Sequence, residues 1–406
     1  MMTLLFWRRV EISMDKKYQK TLVACFIGFI VQAITNNFIP LLFVTFQNTY
    51  GIPLRQITVL ISANFLVQLI VDVIAVQFVD KTGYRIPVLF AHGSAACGLA
   101  LLTILPEQLD PFTGILVSVI IYSVGAGLIE VTVSPIMEGC PTAHKGAAMS
   151  LLHSFYCWGH VGVVLLSTLF FYTVGIENWK ILTWVWVLVP AVNILLFART
   201  PIQPLLADGE DRMTLKELLS VQSFWPLMLM MVCAGASEHA LGQWTSAFAE
   251  QALGISKTLG DLMGPLAFAA FMGCARTIYG KYGARLDLEK FVKGSCILCT
   301  ASYLLTGLAE HPLFSLAGCA LCGLSVGILW PGTYSRAAHR LKGGGGAMFA
   351  VLAVFGDLGC VAGPAVVGVV TDLSGGNMKT GIWAAAIFPL FLLGCFGKRK
   401  RKKCDV

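Results

Sequence analysis

The sequence predicts an all-α membrane protein with twelve transmembrane helices in two pseudo-symmetric six-helix bundles. Composition is the first indication: the 406 residues are 56% hydrophobic and 13% charged, with a mean hydropathy of +0.75. Ordinary soluble domains are about 25% charged. The second is spacing, since the apolar residues form twelve runs long enough to cross a bilayer, separated by short polar segments. The third is an internal repeat at an offset near 200 residues, treated below. Helices follow because lipid offers an exposed backbone no hydrogen-bond partner, and no ten-residue alternating pattern points to a barrel.

The runs are expected at 21–45, 57–79, 86–105, 112–136, 147–173, 180–198, 223–250, 259–280, 291–309, 313–336, 347–371 and 381–397. They divide the chain into a tail (1–20), a first bundle (21–198), a linker (199–222), a second bundle (223–397) and a basic tail (398–406). The apolar part of the opening "MMTLLFWRRV" is too short for a signal peptide and its charges follow it, so it reads as a cytoplasmic tail. Met14, opening "MDKKYQK", is an alternative start. In the linker, Thr214 and Glu217 have capping-box spacing and predict a short amphipathic helix that lays Leu215, Leu218 and Leu219 on a protein or membrane surface.

Cationic residues set orientation. With both termini inside, 25 of the 29 Lys and Arg fall in inner segments, leaving only Arg55, Lys180, Lys257 and Lys379 outside. The expected location is therefore the plasma (cytoplasmic) membrane with both termini cytoplasmic. The net charge of +7 and the tail "KRKRKK" report topology and attraction to anionic lipid rather than nucleic acid. Of the thirteen cysteines, Cys296/Cys299 and Cys319/Cys322 have C-x-x-C spacing but lie inside apolar runs without His or carboxylate company, which reads as packing, not metal. Trp179, Trp184, Trp186 and Trp225, near helix ends, read as an interfacial belt.

The repeat shows in three places. "VDKTGYR" (79–85) faces "YGKYGAR" (279–285), "GLIEVTVSP" (127–135) faces "GLSVGILWP" (323–331), and Phe155/Phe355 and Gly159/Gly359 recur in the fifth and eleventh runs. The loop "DKTGYR" after the second run resembles the G-x-x-x-D-[RK]-x-G-x-R motif of the major facilitator superfamily. Asp80, Lys81, Gly83 and Arg85 match it, Val76 replaces the leading glycine, and Lys281, Gly283 and Arg285 form the partial second copy. The resemblance implies a latch that forms in one conformation and breaks in the other; the plainer reading is positive-inside anchoring.

Within that superfamily, "GAGLIEVTVSP" (125–135), "MSLLHSFYCWG" (149–159) and the aromatic-Pro-x-x-aromatic-Ser pattern at Trp330 to Ser335 resemble the fucose permease group of sugar–proton symporters. That group carries an acid in helix one after paired Asn. Here Asn36 and Asn37 are present, and Pro40 stands in the acid's place.

A carboxylate near the bilayer centre costs about 3 kcal/mol on insertion scales, so Glu130, Glu238 and Asp357 are candidates for proton coupling. Glu130 is the foremost of them, since a desolvated carboxyl suits a group that takes up and releases a proton. Glu238 and Asp357 read equally well as members of structural ion pairs, and Asp72 reads as paired to a polar group on a neighbouring helix. Hydroxyl-rich solutes need side chains that both donate and accept, with an aromatic face for the ring. Asn36, Asn37, Gln68, His153, Tyr156, His239, Gln243, Trp244, Trp330 and Tyr334 supply these. The run "KGGGGAM" (342–348) lacks the Gly-Lys-Ser/Thr ending of a phosphate loop and reads as a connection between the tenth and eleventh helices. No ATP-binding motif and no nucleophile–base constellation occurs, so the expectation is a cofactor-free, non-enzymatic monomer. It would carry a small polar solute, a sugar or polyol for choice, inward with a proton. A non-transporting nutrient sensor and an efflux antiporter are the alternatives.

Overall fold

A computed structural model describes residues 16–141, 145–202, 215–282, 287–341 and 345–396. It contains the twelve rods that the hydropathy predicts. They are α1 (Gln19–Tyr50), α2 (Leu54–Thr82), α3 (Arg85–Leu102), α4 (Pro111–Gly139), α5 (Lys145–Val174), α6 (Trp179–Arg199), α7 (Trp225–Gly242), α8 (Lys257–Tyr279), α9 (Leu288–Leu308), α10 (Pro312–Ala337), α11 (Gly345–Leu373) and α12 (Met378–Gly394). Several are longer than predicted, because helix continues past the apolar stretch into the flanking polar residues.

Packing repeats as the sequence does. The pairs α1·α5, α2·α4, α3·α4, α3·α6 and α1·α6 in the first half have counterparts α7·α11, α8·α10, α9·α10, α9·α12 and α7·α12 in the second. Two cross-half seams, α2·α11 and α5·α8, are exchanged by the same operation. The repeated glycines explain how: a Cβ on Gly127 would lie 3.1 Å from the Cα of Gln68 on α2, and one on Gly323 would lie 2.1 Å from the carbonyl oxygen of Phe268 on α8. Gly359 lets α11 approach α7 so closely that a Cβ would sit 2.0 Å from the Val232 carbonyl. Without a hydrophobic force between helices in lipid, such close backbone approach is what holds them together.

Breaks in the helices have identifiable causes. α1 passes through a 3-10 turn at Ile39–Leu42, where Pro40 lacks the N–H that would bond the carbonyl four residues earlier, at Asn36. α7 loosens after Gly242 and ends in a π-helical turn at Phe248–Ala252. α8 contains a π-helical turn at Leu262–Leu266 around Pro265.

Two ends of the bundle can be distinguished. α1, α3, α5, α7, α9 and α11 start at the tail face, and the even-numbered helices end there. At the far face the halves meet: Gln251 donates to Gln47 at 2.5 Å, Trp244 lies against Phe43, and a Cβ on Gly368 would strike Thr58. At the tail face, Arg85 donates to the carbonyls of Phe197 (2.9 Å), Ala198 (2.8 Å) and Thr200 (2.7 Å), satisfying the exposed end of α6. Its hydrogen bonds therefore stay within its own half. Gly83, with φ +73°, makes the turn between α2 and α3. The side chains of Asp80, Lys81 and Lys281, and all of Gly283 and Arg285, lie outside the described residues.

The linker helix exists over Leu215–Ser220 and rests on protein: Leu218 is fully buried and the helix touches α11. Thr214 lies outside the described residues, as do Lys342, Gly343 and Gly344 of the glycine run after α10. The belt expectation needs one correction. Trp184 and Trp225 are exposed, whereas Trp179 and Trp186 are buried against Phe46 and Phe38 because α6 packs on α1. The four C-x-x-C cysteines are buried, free thiols on α9 and α10.

Replacing Gly359 by Ala should cost about 1–3 kcal/mol through overpacking, seen as a lower unfolding temperature of the purified protein. Gly93→Ala, where an added Cβ meets nothing within 4 Å, should leave it unchanged.

Candidate transport site

Many of the buried polar side chains lie on α1, α2, α4, α7 and α11, the helices that meet at the junction of the halves. The densest grouping joins three carboxylates. Asp72 of α2, Glu130 of α4 and Asp357 of α11 place carboxylate oxygens within 4.8 Å of one another. They sit ten, nine and twelve residues from the tail-face ends of their helices, roughly 14–18 Å deep at about 1.5 Å per residue. Gln32 of α1 donates to Glu130 Oε2 at 2.7 Å and fixes that carboxylate. Asp72 and Asp357 are buried, and Asp72 Oδ1 and Asp357 Oδ2 have no hydrogen-bond partner. Two like charges about 4 Å apart repel by roughly 4 kcal/mol at the effective dielectric of a protein. The three cannot all be ionised without a positive occupant.

Beside them stands an aromatic pair. Trp330 and Tyr334 of α10 meet edge to face at 6.2 Å, and the Trp330 ring lies over Gly356, the residue before Asp357. Tyr334 is within electrostatic reach of all three carboxylates.

A second network runs across four helices. Asn36 Oδ1 accepts from Gln68 (3.0 Å) and Asn64 (3.2 Å), and Asn64 Oδ1 accepts from Ser123 of α4 at 2.7 Å. The Asn36 carbonyl, deprived of its helical partner by Pro40, accepts from Gln243 of α7 at 3.2 Å. This is a cross-half hydrogen bond that the proline makes possible. Nothing in the local sequence pattern marks Asn64 and Ser123 as its members.

A third grouping surrounds an ion pair. Both oxygens of Glu238 accept from Arg276 of α8, at 3.2 and 3.1 Å. Glu238 is thus held by a cation, as in the ion-pair reading, and Arg276 is a member of the bundle interior rather than a rim anchor. Asn37 donates to Tyr156 at 3.5 Å, the His239 ring stands edge-on to Phe65 of α2 at 4.7 Å, and His153, which is exposed, lies edge-on to Phe29 at 5.2 Å. Trp244 belongs to none of these groups: fully buried, it donates its indole N–H to the Pro364 carbonyl at 3.0 Å.

The sequence reading also passed over His92. Asn193 donates to both Ala24 O (3.0 Å) and His92 Nε2 (2.8 Å), which leaves His92 Nδ1 to donate to Val88 O at 2.7 Å. The ring is a neutral tie between α1, α3 and α6, away from the junction.

Comparison with known proteins agrees with this architecture. The family model of the Major Facilitator Superfamily matches residues 21–364. The chain belongs to that superfamily. Solved structures similar to this facilitator include a variant of the E. coli fucose:proton symporter (17% identity, TM-score 0.67, covering 94% of this chain and 98% of that one). Others are a bacterial homologue of the human lysosomal transporter Spinster, inward-facing and occupied (13%, 0.71, 94% and 96%), and a POT family transporter in complex with a thioalcohol-conjugated peptide (15%, 0.72, 94% and 97%). At these identities the likeness is one of fold. This facilitator is accordingly an integral membrane transporter for a small-molecule solute.

Arg276→Ala strands a buried Glu238 and should destabilise the protein by about 3–5 kcal/mol. The Arg276→Met/Glu238→Leu double variant should recover most of that loss, as read by thermal unfolding in detergent.

Proposed function

We propose that this facilitator carries a small polar solute, a sugar or polyol, by alternating access, and that it does so as a proton symporter with Glu130 as the coupling carboxylate. One observation carries the reading: an aromatic face and a hydrogen-bonded, half-buried carboxylate stand together at the junction of the halves, in Trp330, Tyr334 and Glu130. An aromatic ring suits the C–H face of a sugar, and the amides and hydroxyls of Asn37, Tyr156 and Gln68 suit its hydroxyls. The fucose:proton symporter among the similar structures supports the same class.

The geometry supports a cycle of this kind. Far-face contacts at Gln47–Gln251 and Thr58–Gly368 close one side, so solute and proton at the junction exchange with the tail face in this conformation. Protonation of Glu130 removes a charge from the crowded carboxylate cluster and lowers the cost of bringing α2 and α4 against α11. Loss of the proton restores the repulsion. The excess of Lys and Arg at the tail face supports a cytoplasmic placement of that face, and the reading takes the host membrane as the plasma membrane and the working unit as the monomer.

Solute-driven proton uptake into proteoliposomes, across sugars, polyols, amino acids and organic acids, tests the proposal. At least one sugar or polyol should acidify the lumen, and Glu130→Gln should abolish coupled uptake while retaining solute counterflow. Full coupling in that variant removes Glu130 from the role. A panel in which nothing moves favours a sensor, and solute-driven proton flux in the opposite sense favours an efflux antiporter.

A further inference from the structure

We infer that Asp72, Glu130 and Asp357 form a binding site for a hard metal cation, of the alkali or alkaline-earth class, that joins the two halves. The inference rests on Glu130 as the coupling carboxylate and changes its occupant: a metal cation competes with the proton for the same oxygens.

Three features point to an ion. The oxygens come from three helices and converge to within 4.8 Å, a separation that a single ion at the centre spans. Asp72 and Asp357 are 4% and 7% exposed, and each keeps one oxygen without a hydrogen-bond partner. Buried polar atoms are ordinarily satisfied, so two orphaned carboxylate oxygens in one cluster call for a ligand. No lysine or arginine among the described residues forms an ion pair with any of the three, and Arg276 is committed to Glu238.

The third feature is the packing around the oxygen. Gly127 of α4 lies directly against Asp72, where an added Cβ would come 3.1 Å from Oδ1 and 3.1 Å from the Cα of Gln68, so any larger residue would crowd this oxygen. Meanwhile Gln32 holds Glu130 Oε2 and orients the carboxylate.

The ligand set chooses the class of ion. All-oxygen, carboxylate-only coordination suits alkali and alkaline-earth ions, whereas softer transition metals favour the imidazole and thiolate that are absent from this cluster. Because α2 and α4 belong to one half and α11 to the other, the ion can be fully coordinated only when the α2·α11 seam is closed. Its binding therefore stabilises that arrangement, by the rule that a ligand favours the state it contacts best.

The test measures binding apart from transport. Purified protein is unfolded thermally in choline chloride and in isosmotic NaCl, LiCl, MgCl2 or CaCl2 at matched ionic strength, with direct 22Na or 45Ca binding in parallel. At least one cation should raise the unfolding temperature by several degrees, saturably, with about one ion bound per chain. Asp357→Asn and Glu130→Gln should each weaken binding at least tenfold, and Glu289→Gln, on the rim of α9, should not. Absence of saturable binding by the parent protein with every cation overturns the inference even if the variants fail to fold, as does unchanged binding in Asp357→Asn or Glu130→Gln. Proton-coupled uptake without cation binding sinks this inference alone. Cation binding without any solute-driven proton flux sinks proton coupling alone.

Discussion

Hydrocarbon gives a polar group no partner, and most of this structure is arranged around that constraint. A helix satisfies its own backbone, so twelve apolar runs become twelve helices. Where a helix is interrupted, something inside the protein must take over the freed group. Pro40 frees the Asn36 carbonyl, and Gln243 from the opposite half takes it. The last carbonyls of α6 lie at the tail face, and the guanidinium of Arg85 takes three of them. In both places irregular backbone sits where two elements meet, and a break in one helix becomes an attachment point for a neighbour.

The same constraint sorts the side chains. Leucines, valines and isoleucines of α2, α5, α6 and α9 are left on the lipid-facing surface, while Asn36, Asn64, Gln68, Asp72, Glu130, Glu238 and Asp357 turn inward. Since the inward surfaces of two bundles face each other, sorting alone collects these groups at the junction. A polar solute then meets there what the membrane interior otherwise lacks: charges, amides and aromatic faces in a space shared by two bodies that can rock on one another.

The fold was legible because its signals are local and redundant. Run lengths locate the helices, charge counts orient them, and the Gly127/Gly323 and Gly159/Gly359 matches disclose the duplication. Helix ends were less legible, since helix continues into polar residues that hydropathy leaves out. Part of the candidate site could be picked out one residue at a time: Glu130 stands out as an acid in an apolar run. What its neighbours are could not be read, because that depends on how each helix is turned about its axis. Asp72 looked like a residue with a private partner and instead meets Asp357 from the other half. Arg276 looked like one of several rim cations, and only the approach of α8 to α7 puts it on Glu238. Trp179 and Trp186 have a belt's composition and spacing, but α1 lies across them.

The duplication has a mechanical consequence at its two cross-half seams. In the α2·α11 seam, Asp72 and Asp357 meet. Two hundred residues away in the repeat, the corresponding positions in the α5·α8 seam are Met272 and Cys157, both buried and uncharged. A change of charge on Asp72 or Asp357 therefore loads the α2·α11 seam directly, while in the α5·α8 seam the charge beside Cys157 is that of Arg276, already paired with Glu238. The α2·α11 contact behaves as a clutch that charge engages and the α5·α8 contact as a bearing pinned by a fixed ion pair, so a frame built by copying is driven differently at its two seams.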